Sequence, residues 1–400
     1  MEEVGQPNLP KAGFGGRSLL NLSLNFPNCG DNRRFTHGCA LPLPSLRALP
    51  EDLPEEGNLY LWFPLGHTFG KATRALQEVF ADRPDDLRLE SKALLAIAPL
   101  GKGGLWEALT AVLTERECAS TKALWVPAGA SPQFDDFPRV ISLAQAMGLQ
   151  SSRWLIALLD NRQLTSYFQP IVAAANPGQI VAQEALMRGL DGDGVILPGR
   201  ILGAAKTAEL LFQVDLAARQ SAIREALRHE LPQRGQKVFV NFTPSSIYDP
   251  AFCLRSTVEY VNDTGIPHEQ IVFEITESER VNDMDRLRDI LDFYRGAGFG
   301  VALDDIGSGY SGLNMLHRLR PDYVKLDMEL IRDVDHDPYK AVVAQKIVEI
   351  AQELGITTLA EGIETAAELR WVQQAGIDLA QGFLLGKPTS PPHQAIAFAM

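Results

Sequence analysis

From about residue 160 onward, short apolar runs alternate with longer segments whose apolar residues recur every three or four positions. The runs TSYFQPIV, IVAQEALM, KVFVNFT, IVFEITE, GVALDD, DYVKLD, TTLAEGI and DLAQGFLL have the length and β-branched or aromatic content of strands. Segments such as ILGAAKTAELLFQVDLAARQSAIREAL and DRLRDILDFYRGAG carry the helical period. Eight strands alternating with helices predict a closed (β/α)8, TIM-like barrel over a doubly wound sheet. The first two runs are joined only by AAANPGQ. That is too short for a parallel crossover, so they should form an antiparallel hairpin and leave the barrel with one reversed strand.

Upstream, residues 58–150 read as a small α/β domain, regulatory or sensory, of unidentified input. NLYLWF and KALWVPA suit strands, while HTFGKATRALQEVF and GGLWEALTAVLTER suit amphipathic helices. A helix-period segment from Phe137 to about Asp160 links this domain to the barrel, assigned to residues 151–400. Residues 1–57 are rich in Gly and Pro and show neither period, which predicts an irregular arm.

Composition narrows the class. The 400-residue chain is 46% hydrophobic and 22% charged, so it can bury a large core and is not a disordered chain. Fifty acids against 37 bases leave a charge of −13, which argues against non-specific binding of double-stranded nucleic acid. Four cysteines make no disulfide scaffold. There is no signal-peptide pattern and no apolar run of membrane-spanning length, so the expected location is cytoplasmic. Cys29, His37 and Cys39 could bind a metal with Cys118, but C-x7-H-x-C is not a recognised zinc spacing, and unrelated residues are the simpler reading.

Barrel active sites lie at the C-terminal ends of the strands. Those ends here carry Glu184, Asn241, Glu274, Asp304 with Asp305, Lys325, Glu361 with Glu364, and Gln381. Oxygen donors dominate and neither His nor Cys stands among them, which selects hard cations such as Mg2+, Mn2+ or Ca2+ over zinc. Two adjacent aspartates are costly unless protonated, paired or metal-bound. A lysine on the next strand offsets part of that charge. The alternative for any one acid is capping of the following helix, but a whole set at the same end of its strands favours a site. The loop IGSGYSGL after Asp305 has the glycines and hydroxyls of a phosphate loop; an ordinary strand-to-helix turn is the more frequent explanation of such a loop, but its place directly after an aspartate pair makes the signal more specific.

At these residues the sequence resembles the EAL family of cyclic-di-GMP phosphodiesterases. Glu184-Ala185-Leu186 stands within QEALMRG, followed in chain order by VNFTP, FEITES, LDDIGSGYSGL, DYVKLD, AEGIET and QGFLLGKP, over about 161–390. The resemblance implies that Glu184, Asn241, Glu274 and Asp304 hold one metal ion. Asp304 bridges to a second held by Asp305, with Glu361 nearby. Lys325 is similar to the lysine that positions the attacking water. Glu364 and Gln381 complete the pocket, Arg188 contacts phosphate, Gln169 and Leu186 contact the ligand, and Glu277 braces the loop after the aspartate pair. Two positions depart from the family pattern, Ile306 where Phe is more frequent and Gly312 where Ser is; neither is a ligand, and both bear on loop rigidity.

The implied activity is hydrolysis of cyclic-di-GMP to linear 5′-pGpG with two Mg2+ or Mn2+ ions, inhibited by Ca2+, in a homodimer formed through this domain. Two alternatives stand beside it. One is a cyclic-di-GMP receptor without catalysis. The other is a metal-assisted barrel hydrolase for a different phosphate ester.

Overall fold

The computed structural model describes residues 57–91, 94–97, 103–192, 194–244, 250–276, 284–307 and 312–396. All fall within one compact unit, Ser45–Met400.

The first elements are β1 (Asn58–Trp62), α1 (Gly66–Val79), β2 (Leu87–Leu89), β3 (Leu94–Ile97), α2 (Leu105–Val112), α3 (Glu115–Ser120), β4 (Lys122–Val126) and β5 (Ile141–Ser142). The strands form one antiparallel sheet in the order β2-β3-β1-β4-β5. β3 is therefore inserted between β1 and β2, a split β-α-β arrangement. Alternation along β1 sends Leu59 and Leu61 into a core with Ala72, Leu76, Leu105 and Leu109, while Tyr60 joins Leu124 and Val126 in a smaller cluster. The single helix expected over GGLWEALTAVLTER is two, because Thr114 caps α3 in a reciprocal box with Glu117. Glu117 also accepts from Thr68 at 3.1 Å and pairs with Lys71 at 3.0 Å, tying α1 to α3.

The segment read as one linking helix is a short 3-10 turn over Phe134–Arg139, then β5, then α4 (Leu143–Ser151) and α5 (Arg153–Asp160), broken at Ser152. Gly148 of α4 sits where a Cβ would lie 2.1 Å from the Thr207 carbonyl oxygen, so the backbones can approach only with glycine there. One apolar core then runs from Leu59 and Leu76 through Leu149 and Leu158 to Ile201, Ala205 and Val214.

The remaining elements are β6 (Leu164–Ala173), β7 (Asn176–Asp191), β8 (Gly194–Ile196), α6 (Pro198–Thr207), α7 (Leu211–Arg228), β9 (Lys237–Asn241), α8 (Pro250–Thr264), β10 (Ile271–Thr276), α9 (Met284–Gly296), β11 (Gly300–Ile306), α10 (Gly312–Leu319), β12 (Tyr323–Leu326), α11 (Met328–Ile331), α12 (Pro338–Leu354), β13 (Thr357–Ala360), α13 (Ala366–Gln374) and β14 (Leu379–Ala380). The sheet runs β6-β14-β13-β12-β11-β10-β9-β7, and the β6–β7 pairing closes it. β6 is antiparallel to both neighbours and every other pairing around the ring is parallel, so the reversed strand is the first. Two details were not expected. The long helical run after residue 200 is split into α6 and α7 at Glu209, whose φ is 57°. β8 adds a hairpin outside the ring, on β7.

Candidate active site

Side chains alternate along a strand, so residues two apart share a face. Ile171, Ala182, Phe239, Val272, Ala302 and Leu359, each from a different strand of the ring, form a fully buried apolar cluster, with Tyr323 and Leu379 packed against it. One pleat repeat further on, toward the C-terminal ends of the parallel strands, the same rows present Glu184, Asn241, Glu274, Asp304, Lys325, Glu361 and Gln381. The reversed β6 contributes Gln169, two residues before Ile171, directly opposite Glu184 in the ladder. A polar layer, one residue per strand, is thus stacked on an apolar one, as layered barrel interiors allow.

Lys325 stands in the middle of this layer and is 1% exposed. Its Nζ lies 2.6 Å from Glu361 Oε1, 2.7 Å from Glu274 Oε1, 3.0 Å from Asp304 Oδ1 and 3.9 Å from Glu184 Oε2. Burial alone would lower the lysine's pKa, but Asp304, Glu184, Glu274 and Glu361 outweigh it and push it well above the usual value. Glu184 also accepts from Gln381 Nε2 at 2.7 Å and from Asn241 Nδ2 at 3.3 Å, so the layer is stitched across the barrel.

Asp304 and Asp305 would point to opposite faces of a regular strand. Instead the β11–β12 register shifts between Leu303 and Ile306, and Asp305 has φ 59°. This bulge, with a left-handed residue that costs about 1 kcal/mol or more, turns both aspartates to the cleft. The Asp305 N–H donates to Asp304 Oδ1 at 2.9 Å, and carboxylate oxygens of Asp304, Asp305 and Glu361 lie within 4.8 Å of one another.

Five carboxylates thus face a single ammonium. Burial raises Glu361 to about 8 against the pull of Lys325, drives Glu274 well above the carboxylate range, and with the Asp304 charge raises Asp305 to about 6. Glu274 is fully buried and its Oε2 has no hydrogen-bond partner. An orphaned buried carboxylate oxygen in an all-oxygen set short of positive charge fits a hard divalent cation.

Gln169, Glu184, Asp304, Asp305, Lys325, Glu361, Glu364 and Gln381 line one cleft of about 310 Å3. Glu364 is half-exposed at its rim and pairs with Arg332 at 2.7 Å. Leu186 and Asn241 line a separate, mainly apolar cavity of about 340 Å3. Arg188 lies further along the row of Glu184, 5.3 Å from the Tyr167 ring centre, donating to the Met187 carbonyl at 2.8 Å. Glu277, residues 308–311, Cys29, His37 and Cys39 lie outside the described residues, whereas Cys118 is buried.

Sequence reasoning missed two carboxylates. Asp327 lines the cleft and caps α11 through Glu329 N–H at 2.7 Å, a role signalled only by its place directly after the strand of Lys325. Asp215 of α7 accepts from Thr243 N–H at 2.9 Å, just past Asn241, and pairs with the fully buried Arg219 at 2.9 Å. Its helical position gave no local sign of this.

An EAL domain matches residues 152–388, more than half of the chain and the whole ring of strands that carries these side chains. The chain belongs to the EAL domain family. A curated relative of the EAL domain, the Pseudomonas aeruginosa bifunctional diguanylate cyclase/cyclic di-GMP phosphodiesterase MucR, is 31% identical over 245 residues, covering 60% of this chain and 35% of that protein. The first curated relatives are therefore matched over well under two thirds of their own length. Among solved structures, a standalone EAL protein from Vibrio cholerae in its c-di-GMP-bound form has a TM-score of 0.51 at 35% identity, covering 58% of this chain and 95% of that one. The Bacillus subtilis YkuI protein, with an EAL domain in complex with c-di-GMP and calcium, has a TM-score of 0.51 at 26% identity, covering 59% and 58%. Among the described residues no helix is long and apolar enough to cross a membrane.

Proposed function

We propose that the chain hydrolyses cyclic-di-GMP to linear 5′-pGpG. The observation that carries this is the cluster of four carboxylates around Lys325, with Asp305 turned in beside them, on the EAL domain's own motif residues. Glu184, Asn241, Glu274 and Asp304 would hold one divalent ion, and Asp304, Asp305 and Glu361 a second. Mg2+ or Mn2+ bound there supplies positive charge for the phosphate and makes water acidic enough to attack.

The chain's own groups do the rest. Lys325 orients the attacking water and keeps the carboxylates from repelling one another. Glu361, beside Lys325, would take the water's proton. Arg188, released from the Met187 carbonyl, can hold a phosphate oxygen by charge-assisted hydrogen bonds. Gln169, Glu364 and Gln381 line the cleft toward the ligand, while Leu186 lines the separate apolar cavity and would contact the ligand only from there.

The sheet of β1–β5 is read as an input region acting on the barrel, supported by the apolar core it shares with α6 and α7. A homodimer through the barrel is supported by exposed Tyr339, Val342 and Val343, which share one face of α12 by their spacing. A cytoplasmic location, as expected from the sequence, would suit such a substrate.

The test is the full chain with cyclic-di-GMP and Mg2+, followed by chromatography. Appearance of pGpG supports the reading. Binding without turnover shows a receptor, and faster cleavage of a generic aryl phosphodiester shows a different hydrolase.

A further inference from the structure

Glu368, the third residue of α13, is buried but stands outside the polar layer of the barrel. Its carboxylate accepts three backbone hydrogen bonds. Oε2 takes the N–H groups of Glu364 and Thr365, both at 2.9 Å, and Oε1 takes the N–H of Asp333 at 3.0 Å. Glu364 and Thr365 belong to the turn that leaves β13 at Glu361. Asp333 belongs to the turn after α11, downstream of Lys325 and Asp327. One side chain therefore ties the loop of Glu361 and Glu364 to the loop that follows Lys325. Capping α13 requires only the reciprocal bonds with Thr365; those to Glu364 and Asp333 go beyond it.

The same turn is gripped from other sides. Gly362 has φ +68°, and a Cβ there would lie 2.3 Å from Met328 Cβ. A Cβ on Gly382 would lie 2.1 Å from the Ile363 carbonyl oxygen. Arg332 holds the Glu364 carboxylate at 2.7 Å. With so little room to slide, the placement of Glu361 follows that of the turn, and the turn follows Glu368.

We propose that Glu368 is a positioning residue for hydrolysis, setting Glu361 and Glu364 relative to Lys325 through the backbone it clamps. This rests on the two-ion reading above. Groups that orient metal ligands in this way typically change metal affinity about 10–100-fold when removed.

The test compares the full-length chain with Glu368→Ala, Glu368→Gln and Thr365→Ala. Glu368→Ala should raise the Mg2+ concentration for half-maximal turnover about tenfold. In metal-free protein it should also speed hydrogen exchange at the amides of Asp333, Glu364 and Thr365. Glu368→Gln keeps one acceptor oxygen and should fall between. Thr365→Ala removes the return bond from Glu368 N–H to Thr365 Oγ1, 3.2 Å long, but leaves the carboxylate's bonds, so its Mg2+ requirement should stay that of the parent. An unchanged requirement in Glu368→Ala, or an equal rise in Thr365→Ala, overturns the proposal by reducing Glu368 to a helix cap. Should Glu368→Ala fail to fold, Glu368→Gln decides, and a parental Mg2+ requirement there overturns it. If the parent chain hydrolyses nothing, the two-ion reading fails instead. The exchange measurement then decides the clamp alone, and unchanged protection at the three amides refutes it.

Discussion

Lys325 Nζ lies 2.6 Å from Glu361 Oε1, and the two residues stand at the ends of neighbouring parallel strands, β12 and β13. One buried ammonium offsets acids that would otherwise repel each other in a low-dielectric interior. Lys325→Ala should therefore destabilise metal-free protein by about 3–5 kcal/mol, the usual cost of breaking a buried pair. Excess Mg2+ should restore much of this. Turnover should fall at least about a hundredfold while cyclic-di-GMP still binds. Denaturant unfolding with and without Mg2+, beside calorimetry, checks both halves; equal metal-free stability of variant and parent would contradict the charge argument.

Glu184 is the acceptor for both Gln381 and Asn241. Glu184→Ala removes a proposed ligand and leaves the buried Gln381 amide and the exposed Asn241 amide without their partner. Hydrolysis should drop by roughly a thousandfold or more, the equivalent of several kcal/mol of transition-state stabilisation. Turnover close to that of the parent in saturating Mg2+ would remove Glu184 from the mechanism.

Mg2+ and Mn2+ should support turnover and Ca2+ should inhibit it. Ca2+ fits an all-oxygen set but prefers more ligands at longer distances and acidifies water less. Metal-free protein titrated with each ion, then with Ca2+ against Mg2+, decides the matter. Comparable rates with Ca2+ would mean that the site does not discriminate by coordination geometry.

Glu117 supplies a pH test away from the cleft. The Thr114 N–H and the Lys71 ammonium hold its carboxyl near 2, below its ordinary 4.5. A depressed folded-state value means that the stabilisation is complete above about 4.5 and is lost as the pH falls through about 2. Glu117→Gln should thus be less stable than the parent at neutral pH, and the difference should shrink progressively below that upper bound. Urea unfolding at a series of pH values measures it; a gap that widens on acidification would be the wrong sign.

Gly148→Ala tests whether the small sheet speaks to the barrel. The new methyl group would meet Thr207 O, at 2.1 Å, and must displace α6, at a cost of about 1–3 kcal/mol. Because α7, which follows α6, carries Asp215 beneath the Asn241 loop, kcat should change along with stability. A folded variant with the parent's kcat would argue that this contact is packing alone.

The chain's local pattern determined the barrel and its polar layer. Strands are short and alternate with a period of two, so the step from Phe239 to Asn241, or from Val272 to Glu274, already marks an inward row that turns from apolar to polar at the strand's end. The brief connection after β6 likewise forced a hairpin, because a short link cannot cross over. Other features were decided only by tertiary contacts. Asp305 faces the cleft because a register shift against β12 holds it in a left-handed conformation, which no neighbour in sequence demands. Asp215, Glu368 and the approach of Gly148 to Thr207 depend on partners 28 to 59 residues away along the chain. Local spacing reports which face a residue occupies; it carries no record of which distant backbone N–H or carbonyl group will arrive there when the core closes.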